Sequence, residues 1–457
     1  MDLIADLRGA VGARHVLTDP DLRAGYERDW TGRFTGRAAA VARPAGTAEV
    51  AAVLAVCAAH GAAVIPQGGN TGLTGASVPR GAGPGSERAQ VVLSLTRLDA
   101  IAPVDRGAGL VTAGAGATLA ALQAAARDAG SDATLDFASR DSCTLGGIVA
   151  CDAGGAQALR HGTARTHVAG LEAVLAGGTV VSRMAGLSKD NAGFDLPALL
   201  IGAEGTLGIV TAVRWRLAAP APSRVAALVA LDSVAEAAAL LATLRAHAPS
   251  LVSCDFFMDD GLELVLAHQR RSSPVRRRAP VYVLAECAAA SDPTDELAGA
   301  LAHAGVDDAR IADDTASRAG LWSLREGHAD AINAAGVPHK LDVGVPLHRL
   351  AEFLDRVGGV VAAGGAGRRA ILFGHLGDGN VHVNVLGAAP DDESVDDAVL
   401  ELVLACGGTI SAEHGIGVVK TRWLERARGA GEVAAMRAIK RALDPSGLLN
   451  PGAVLPR

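Results

Sequence analysis

Two histidines stand close together in the chain. Ala370-Ile371-Leu372-Phe373-Gly374-His375 reads as a buried strand ending on an imidazole, and Val381-His382-Val383-Asn384-Val385 alternates as a strand does. The residues between them, Leu376-Gly377-Asp378-Gly379-Asn380, are turn formers. A reversal there lets His375 and His382 converge across neighbouring strands. Downstream, Gly407-Gly408-Thr409-Ile410-Ser411-Ala412-Glu413-His414-Gly415-Ile416-Gly417 places a carboxylate and a further histidine in a glycine-flanked turn. Two imidazoles and one carboxylate with an open position are a usual donor set for a catalytic divalent metal, zinc above all. A single histidine here would read as a satisfied core residue; a pair on a tight hairpin plus a Glu-His dipeptide reads as a metal centre.

A second chemistry sits near the other end. Ile65-Pro66-Gln67-Gly68-Gly69-Asn70-Thr71-Gly72-Leu73-Thr74-Gly75-Ala76-Ser77 follows an apolar run, Ala62–Ile65, that reads as a short strand ended by Pro66. Glycines let main chain approach a ligand closely, and successive N–H groups in such a loop make an anion-binding concavity. A phosphate or pyrophosphate is the expected guest. The chain has no G-x-G-x-x-G and no glycine-lysine pair, which excludes the dinucleotide-binding Rossmann fingerprint and the P-loop. Two further regions of small residues follow. One runs from Ser142 through Gly146-Gly147 and Gly154-Gly155 to Arg160-His161-Gly162, the other from Asp190 through Gly202–Val210. So many glycines and hydroxyls suit a wall against which a flat ligand lies.

The elements that must position these groups alternate. A helix is expected from Thr47 to His60 with Val50, Val53, Leu54 and Cys57 on one face. Strands are expected at Val91–Leu95 and Leu110–Ala113, a helix at Leu119–Ala129, and a hairpin from Leu171–Leu175 to Thr179–Val181. Pro220–Ser223 reads as a linker. Beyond it come strands at Val225–Leu231 and Val281–Glu286 and helices at Val234–Ala246 and Thr294–Ala304. The interleaved strands and helices are expected to form an α+β or α/β domain, with a second domain after the linker.

Composition narrows the function classes. Apolar residues make up 49% of the 457, enough for sizeable cores, and the net charge of -7 implies no general attraction to nucleic acid or anionic membranes. The basic run Arg270–Arg278 has no aromatic or groove-reading neighbours and reads as a solvated loop, with docking of an acidic redox partner as the alternative. Six cysteines without C-x-x-C spacing suggest reduced thiols and a cytoplasmic setting. No signal peptide is read at the N-terminus, and no run reaches the roughly 18 apolar residues of a membrane helix. Lys189, Lys340, Lys420 and Lys440 are the four lysines in an arginine-rich chain, so each marks a place that kept a compact ammonium.

Taken together, Pro66–Ala76, Leu145-Gly146-Gly147, Asn191-Ala192-Gly193-Phe194-Asp195 and Gly202–Val210 resemble, in order and spacing, the FAD-linked D-2-hydroxy acid dehydrogenases. These are flavoproteins of the vanillyl-alcohol-oxidase or p-cresol-methylhydroxylase type. The wording Gly68-Gly69-Asn70-Thr71-Gly72 is most similar to the D-2-hydroxyglutarate dehydrogenase branch, and the likeness runs from about Asp29 to the C-terminus. The resemblance implies a two-part FAD-binding domain at 1–217, an α+β substrate and metal-binding (cap) domain at 218–410, and a C-terminal segment, 411–457, returning to the flavin. It implies FAD contacts from Pro66, Gln67, Gly68, Gly69, Asn70, Thr71, Gly72, Gly75, Ala76 and Ser77. It adds Ser142, Gly146, Gly147, Gly154, Gly155, Arg160 and Gly162, then Glu204, Gly205, Gly208 and Ile209, and Asn450 near the end. Tethered members carry a histidine where Asn70 stands, so the FAD is expected to be non-covalent.

By the same resemblance His375, His382 and Glu413 are the metal ligands and His414 the base. Arg325 and Lys340 face substrate carboxylates, and Asn384 is a polar substrate contact. Two departures are plain: Ala329 replaces a hydroxylated residue, and Ala453 replaces a lysine. The implied reaction is oxidation of a D-2-hydroxy acid to the 2-oxo acid by hydride transfer to flavin N5, with D-2-hydroxyglutarate first and D-lactate or glycolate as the alternative. An electron-transfer flavoprotein or a quinone as acceptor, and a homodimer, are the partners left open. Two other classes stay in view: a metallohydrolase, which leaves the glycine-rich half without a role, and a flavin-binding subunit of a larger oxidase.

Overall fold

Apolar runs separated by alanine-rich helices build three sheets in the computed structural model, which describes residues 2–80, 88–306 and 308–456. The chain separates into two units. The first is Met1–Gly154, Gly162–Ala219 and Glu413–Arg457; the second is Gly155–His161 and Pro220–Ala412.

The first unit holds two four-stranded sheets. One consists of β1 (Val16–Leu17), β2 (Ala40–Ala42), β3 (Ala63–Gln67) and β4 (Gln90–Ser94) in the order β1-β2-β4-β3. β2 and β3 both run parallel to β4, so a crossover must join them. The helix Thr47–Ala59 does so, and it buries Val50, Val53, Leu54 and Cys57 as the spacing predicts. β3 does not stop before Pro66, contrary to expectation, but runs through it to Gln67. It is an edge strand. Ala63 N–H and the Gln67 carbonyl bond towards β4, while Val64 N–H points the other way, to the Leu448 carbonyl at 2.9 Å. Pro66 shares the outward side with Val64, so its missing donor removes no rung of the β3–β4 ladder.

The C-terminal stretch pairs along that outer edge. Asn450 N–H donates to the Val64 carbonyl at 2.9 Å, and Leu448 and Leu449 join the core under the sheet. Asp444 folds the stretch by accepting the N–H groups of Leu448 and Leu449, each at 2.8 Å.

The second sheet is antiparallel. It comprises β5 (Leu110–Gly114), β6 (Val168–Val174), β7 (Val180–Arg183) and β8 (Ile209–Arg216) in the order β5-β8-β6-β7. The expected hairpin around Gly177-Gly178 is its β6–β7 turn. The helix Leu119–Asp128, capped by the Thr118 hydroxyl, packs Leu119 and Leu122 into a core with Trp215.

The second unit is built on one seven-stranded antiparallel sheet. Its strands are β9 (Ser223–Leu231), β10 (Leu251–Met258), β11 (Val281–Ala289), β12 (Ala309–Ala312), β13 (His339–Gly344), β14 (Arg369–His375) and β15 (Asn380–Leu386). Their order is β12-β9-β11-β10-β14-β15-β13. Phe257, Tyr282, Leu284, Leu324, Ile332, Ile371 and Phe373 fill its core. The basic run is tied down within this unit. Arg271 donates to the Ser323 hydroxyl, Arg277 pairs with Asp232, and Arg278 pairs with Asp259 and Glu263.

Candidate functional site

The β14–β15 hairpin brings the two histidines together. Phe373 pairs with His382 and His375 with Asn380, which sets the imidazoles diagonally on neighbouring strands. Their ring centroids lie 5.6 Å apart at 79°. Each ring meets a buried carboxylate on a flanking strand. His375 Nδ1 is 2.9 Å from Asp255 Oδ1 on β10, and His382 Nδ1 is 3.6 Å from Asp342 Oδ1 on β13. The Asp255 hydrogen bond on His375 Nδ1 fixes that tautomer and turns Nε2 to be the ligating atom, the arrangement of metal-binding imidazoles, while Asp342 stands just beyond hydrogen-bond reach of His382. Among the described residues, every group of three or more His, Cys, Asp or Glu side chains close enough to share an ion includes His382. These residues fit a divalent metal.

Asp255 has a second partner. Arg325, in the last turn of the helix Thr315–Glu326, brings Nε to 2.9 Å from Asp255 Oδ2, out of line for a hydrogen bond. Its guanidinium also lies 4.6 Å over the Phe373 ring. Arg325 is only 9% exposed, and its terminal nitrogens make no hydrogen bond among the described residues. Lys340 and Asn384 face each other in register on β13 and β15. Burial lowers the Lys340 pKa, and Asp330 raises it. Among the described residues, Asn384 Nδ2 makes only long contacts, 3.4 and 3.5 Å, to the His382 and Ile371 carbonyls.

Asp342, wholly buried, does more than face His382. It accepts Asn380 Nδ2 at 2.6 Å and, through Oδ2, the Ala412 N–H at 3.1 Å. The chain then passes directly into Glu413 and His414, which open the last segment of the first unit.

In the first unit the three glycine-rich stretches pack on one another. A Cβ at Gly68 would overlap the Thr144 hydroxyl, one at Gly69 the Ser142 carbonyl, and one at Gly205 the Pro66 ring. The loop's polar side chains hold its shape. Gln67 Nε2 donates to the Tyr26 and Ser77 carbonyls at 3.0 and 2.8 Å, and Asn70 Nδ2 donates to the Arg28 carbonyl at 2.8 Å. Asn70 adopts φ 54°, and the Ser77 hydroxyl donates to its Oδ1 at 2.9 Å. What Gln67 and Asn70 can offer a ligand is therefore backbone. The Thr144 hydroxyl, buried beside Gly68 and Gly147, has no hydrogen-bond partner among the described residues. An orphaned donor beside a cradle without side chains fits a phosphate-bearing cofactor.

Gly146 and Gly147 lie in the helix Leu145–Cys151, onto which Gly202 and Glu204 dock by N–H bonds to the Val149 and Ala150 carbonyls at 3.0 and 2.8 Å. Gly208 precedes β8, whose first residue is Ile209. Asn450, 2% exposed, bonds the Glu204 carbonyl and Arg80. Gly154 ends a segment of the first unit and Gly162 begins the next. Gly155 and Arg160 lie in the Gly155–His161 segment of the second unit, where Arg160 donates to the Pro249 carbonyl.

Asp255 and Asp342 escaped sequence reasoning as functional residues. The only signal for either was an acidic residue inside an otherwise apolar strand, Ser253-Cys254-Asp255-Phe256-Phe257 or Lys340-Leu341-Asp342-Val343.

Comparison with known proteins bears on the cofactor and the family. Residues 38–183 match the family described as FAD binding domain, and residues 221–454 the family described as FAD linked oxidases, C-terminal domain. The first match covers the glycine loop at 66–77 and the stretch from Ser142 to Gly162, which a hydrolase would leave without a role. The chain is 38% identical over 466 residues to D-2-hydroxyglutarate dehydrogenase of Xanthomonas citri pv. viticola, covering 98% of this chain and 96% of that one. It is 36% identical over 467 residues to the mitochondrial D-2-hydroxyglutarate dehydrogenase of Bos taurus, covering 100% and 84%. In fold it is similar to p-cresol methylhydroxylase with substrate bound, at TM-score 0.77 and 16% identity over 99% of this chain and 96% of that one. It is also similar to 4-ethylphenol oxidase from Gulosibacter chungangensis, at TM-score 0.76 and 18% identity over 100% and 97%. With its flavin-binding motifs and such relatives along nearly its whole length, the chain belongs to the FAD-linked oxidase family and is an FAD-dependent oxidoreductase of the dehydrogenase kind.

Proposed function

We propose that the protein oxidises a D-2-hydroxy dicarboxylate, D-2-hydroxyglutarate first, to the 2-oxo acid, using non-covalently held FAD and a divalent metal, zinc first. Arg325 carries this reading. A guanidinium is a planar fork built for a carboxylate, and this one is nearly buried with its terminal nitrogens unbonded among the described residues. Lys340 adds a second, half-buried cation. A substrate with one carboxylate has no use for both, and a dicarboxylate does. The relatives named D-2-hydroxyglutarate dehydrogenase support the same choice.

When bound, FAD supplies the acceptor for the hydride from C2, and the metal supplies a Lewis acid. The side chains do the rest. Arg325 and Lys340 hold the carboxylates and orient C2, with Asn384 as a polar contact. His414 receives the hydroxyl proton. His375 and His382 hold the metal, steadied by Asp255 and Asp342. Glu413 completes the donor set. The FAD is untethered because Asn70 has no nucleophilic ring nitrogen. The six cysteines are free thiols, which supports a reducing, cytoplasmic compartment. No helix among the described residues is long and apolar enough to cross a membrane, and an electron-transfer flavoprotein or a quinone is the acceptor class.

Catalytic efficiency for D-2-hydroxyglutarate, D-malate and D-lactate, measured side by side with the L-isomers, tests the reading. A charged hydrogen bond contributes roughly 1.5–3 kcal/mol, so D-lactate should fall about tenfold to hundredfold below D-2-hydroxyglutarate. Equal or better efficiency with D-lactate overturns the dicarboxylate.

A further inference from the structure

Glu204 stands among the expected FAD contacts, but its side-chain carboxylate is used by no step above, and both its oxygens are engaged within the protein. It is 7% exposed, with its backbone in the left-handed region at φ 48°. Its two oxygens are taken by backbone: Oε1 accepts Ile416 N–H at 2.7 Å and Oε2 accepts Gly417 N–H at 2.9 Å. Burial outweighs the pull of those two N–H bonds and of the Lys420 and Arg80 charges, and its pKa is pushed up to about 7. Thr74 of the glycine loop grips the same turn. Its carbonyl accepts Val418 N–H at 2.9 Å, and its hydroxyl donates to the His414 carbonyl at 3.4 Å. Gly417 has φ 54°, and a Cβ there would overlap Thr74. Both grips lie within the first unit, and both act on the residues that directly follow Glu413.

We propose that Glu204 is a positioning residue, whose carboxylate fixes the Glu413–Gly417 turn against the glycine loop so that the flavin-binding loop and the ligand-and-base turn are ordered together. This deepens the function proposed above and rests on the roles given there to Glu413 and His414. An interior carboxylate that accepts two backbone N–H groups is a demanding fit. A carboxamide can accept one of them and must turn its own N–H₂ towards the other. Burying that mismatch is costly, and the cheapest relief is movement of the turn.

The test compares Glu204→Gln, Glu204→Asp and Glu413→Ala with the unaltered holoenzyme. Flavin content, bound zinc per flavin, melting temperature, kcat and KM for D-2-hydroxyglutarate, and amide exchange of the 413–418 peptide are measured on each. In Glu204→Gln the flavin content should hold. Zinc per flavin and kcat should fall, kcat by roughly tenfold to hundredfold, with KM within about threefold because Arg325 and Lys340 are untouched. Exchange at 413–418 should quicken. If Glu204→Gln does not accumulate as folded protein, Glu204→Asp, one methylene short of both N–H groups, must give the same pattern. Unchanged kcat and zinc in a folded variant overturn the proposal, as does loss of flavin in step with activity, which marks a purely structural role. If Glu413→Ala loses zinc and rate while Glu204→Gln keeps both, the Glu204 assignment alone fails. If Glu413→Ala keeps both, the ligand reading fails and this proposal with it.

Discussion

In the glycine loop of the first unit the side chains turn inward. Gln67 and Asn70 bond to the carbonyls of Tyr26, Arg28 and Ser77, and the surface left to a ligand is main chain. On β10, β14, β15 and β13 of the second unit the roles are reversed. Backbone groups close the sheet ladder, and side chains carry the proposed chemistry, each with a partner behind it: His375 on Asp255, His382 near Asp342, Arg325 against Asp255 and Phe373. A backbone site depends on the path of the chain, so losing one side chain strains it without emptying it. A side-chain site depends on a few atoms, so losing one removes the function that atom performed. Substitutions in the second unit should therefore cost turnover, and substitutions in the loop should cost cofactor affinity.

Arg325→Met should show the largest effect. It deletes the carboxylate fork and leaves Asp255 buried with only His375 against it. Truncating one member of a buried charged pair costs about 2–5 kcal/mol, so kcat/KM for D-2-hydroxyglutarate should fall by roughly thirtyfold to several thousandfold. The flavin spectrum should not change. A loss of less than about threefold would mean that the chemistry does not depend on this side chain, and the contrast between the units would break there.

Asp255→Asn comes next. The shape is kept and the charge is lost, so the His375 imidazole is oriented but less basic. Removing such a carboxylate behind a metal-binding imidazole typically costs about tenfold to hundredfold in metal affinity or activity. Zinc affinity, measured by competition with a chelator at constant flavin content, should fall within that range. Unchanged zinc affinity would show that Asp255 serves Arg325 alone.

The contrast also explains what could be read from the sequence. The proposed flavin site is written in contiguous glycine-rich stretches, because a backbone site needs neighbouring residues without side chains, and Gly68, Gly69 and Gly205 meet their neighbours where a Cβ cannot fit. The His375/His382 pair was legible because one hairpin carries both. Asp255 lies 120 residues from His375, and only the β10–β14 register, Asp255 opposite His375, brings them together. Nothing local in Cys254-Asp255-Phe256 foretells that pairing. Pro66 was misread for a related reason. Whether a proline ends a strand depends on which side its nitrogen faces, and the outward side of this strand is lined by the stretch around Leu448 and Asn450, at the far end of the chain.

Asn70 gives the smallest effect on turnover and the sharpest form of the comparison. It holds a left-handed conformation at φ 54°, donates to the Arg28 carbonyl at 2.8 Å and accepts the Ser77 hydroxyl at 2.9 Å. Asn70→Ala loses both bonds and gains a strained backbone, which at about 1 kcal/mol per hydrogen bond and 1–2 kcal/mol for the left-handed conformation should weaken FAD binding by roughly tenfold or more. Asn70→Gly loses the same bonds without the strain, so its FAD affinity should lie between that of Asn70→Ala and the unaltered protein. With FAD saturating, both variants should turn over within about twofold of the unaltered protein, because what the loop offers the cofactor is its own N–H groups. FAD titration followed by steady-state rates at saturation separates the two effects. A fall in the saturated rate comparable to that of Asp255→Asn would mean that the Asn70 side chain takes part in the chemistry, and the loop would no longer be a site made of backbone.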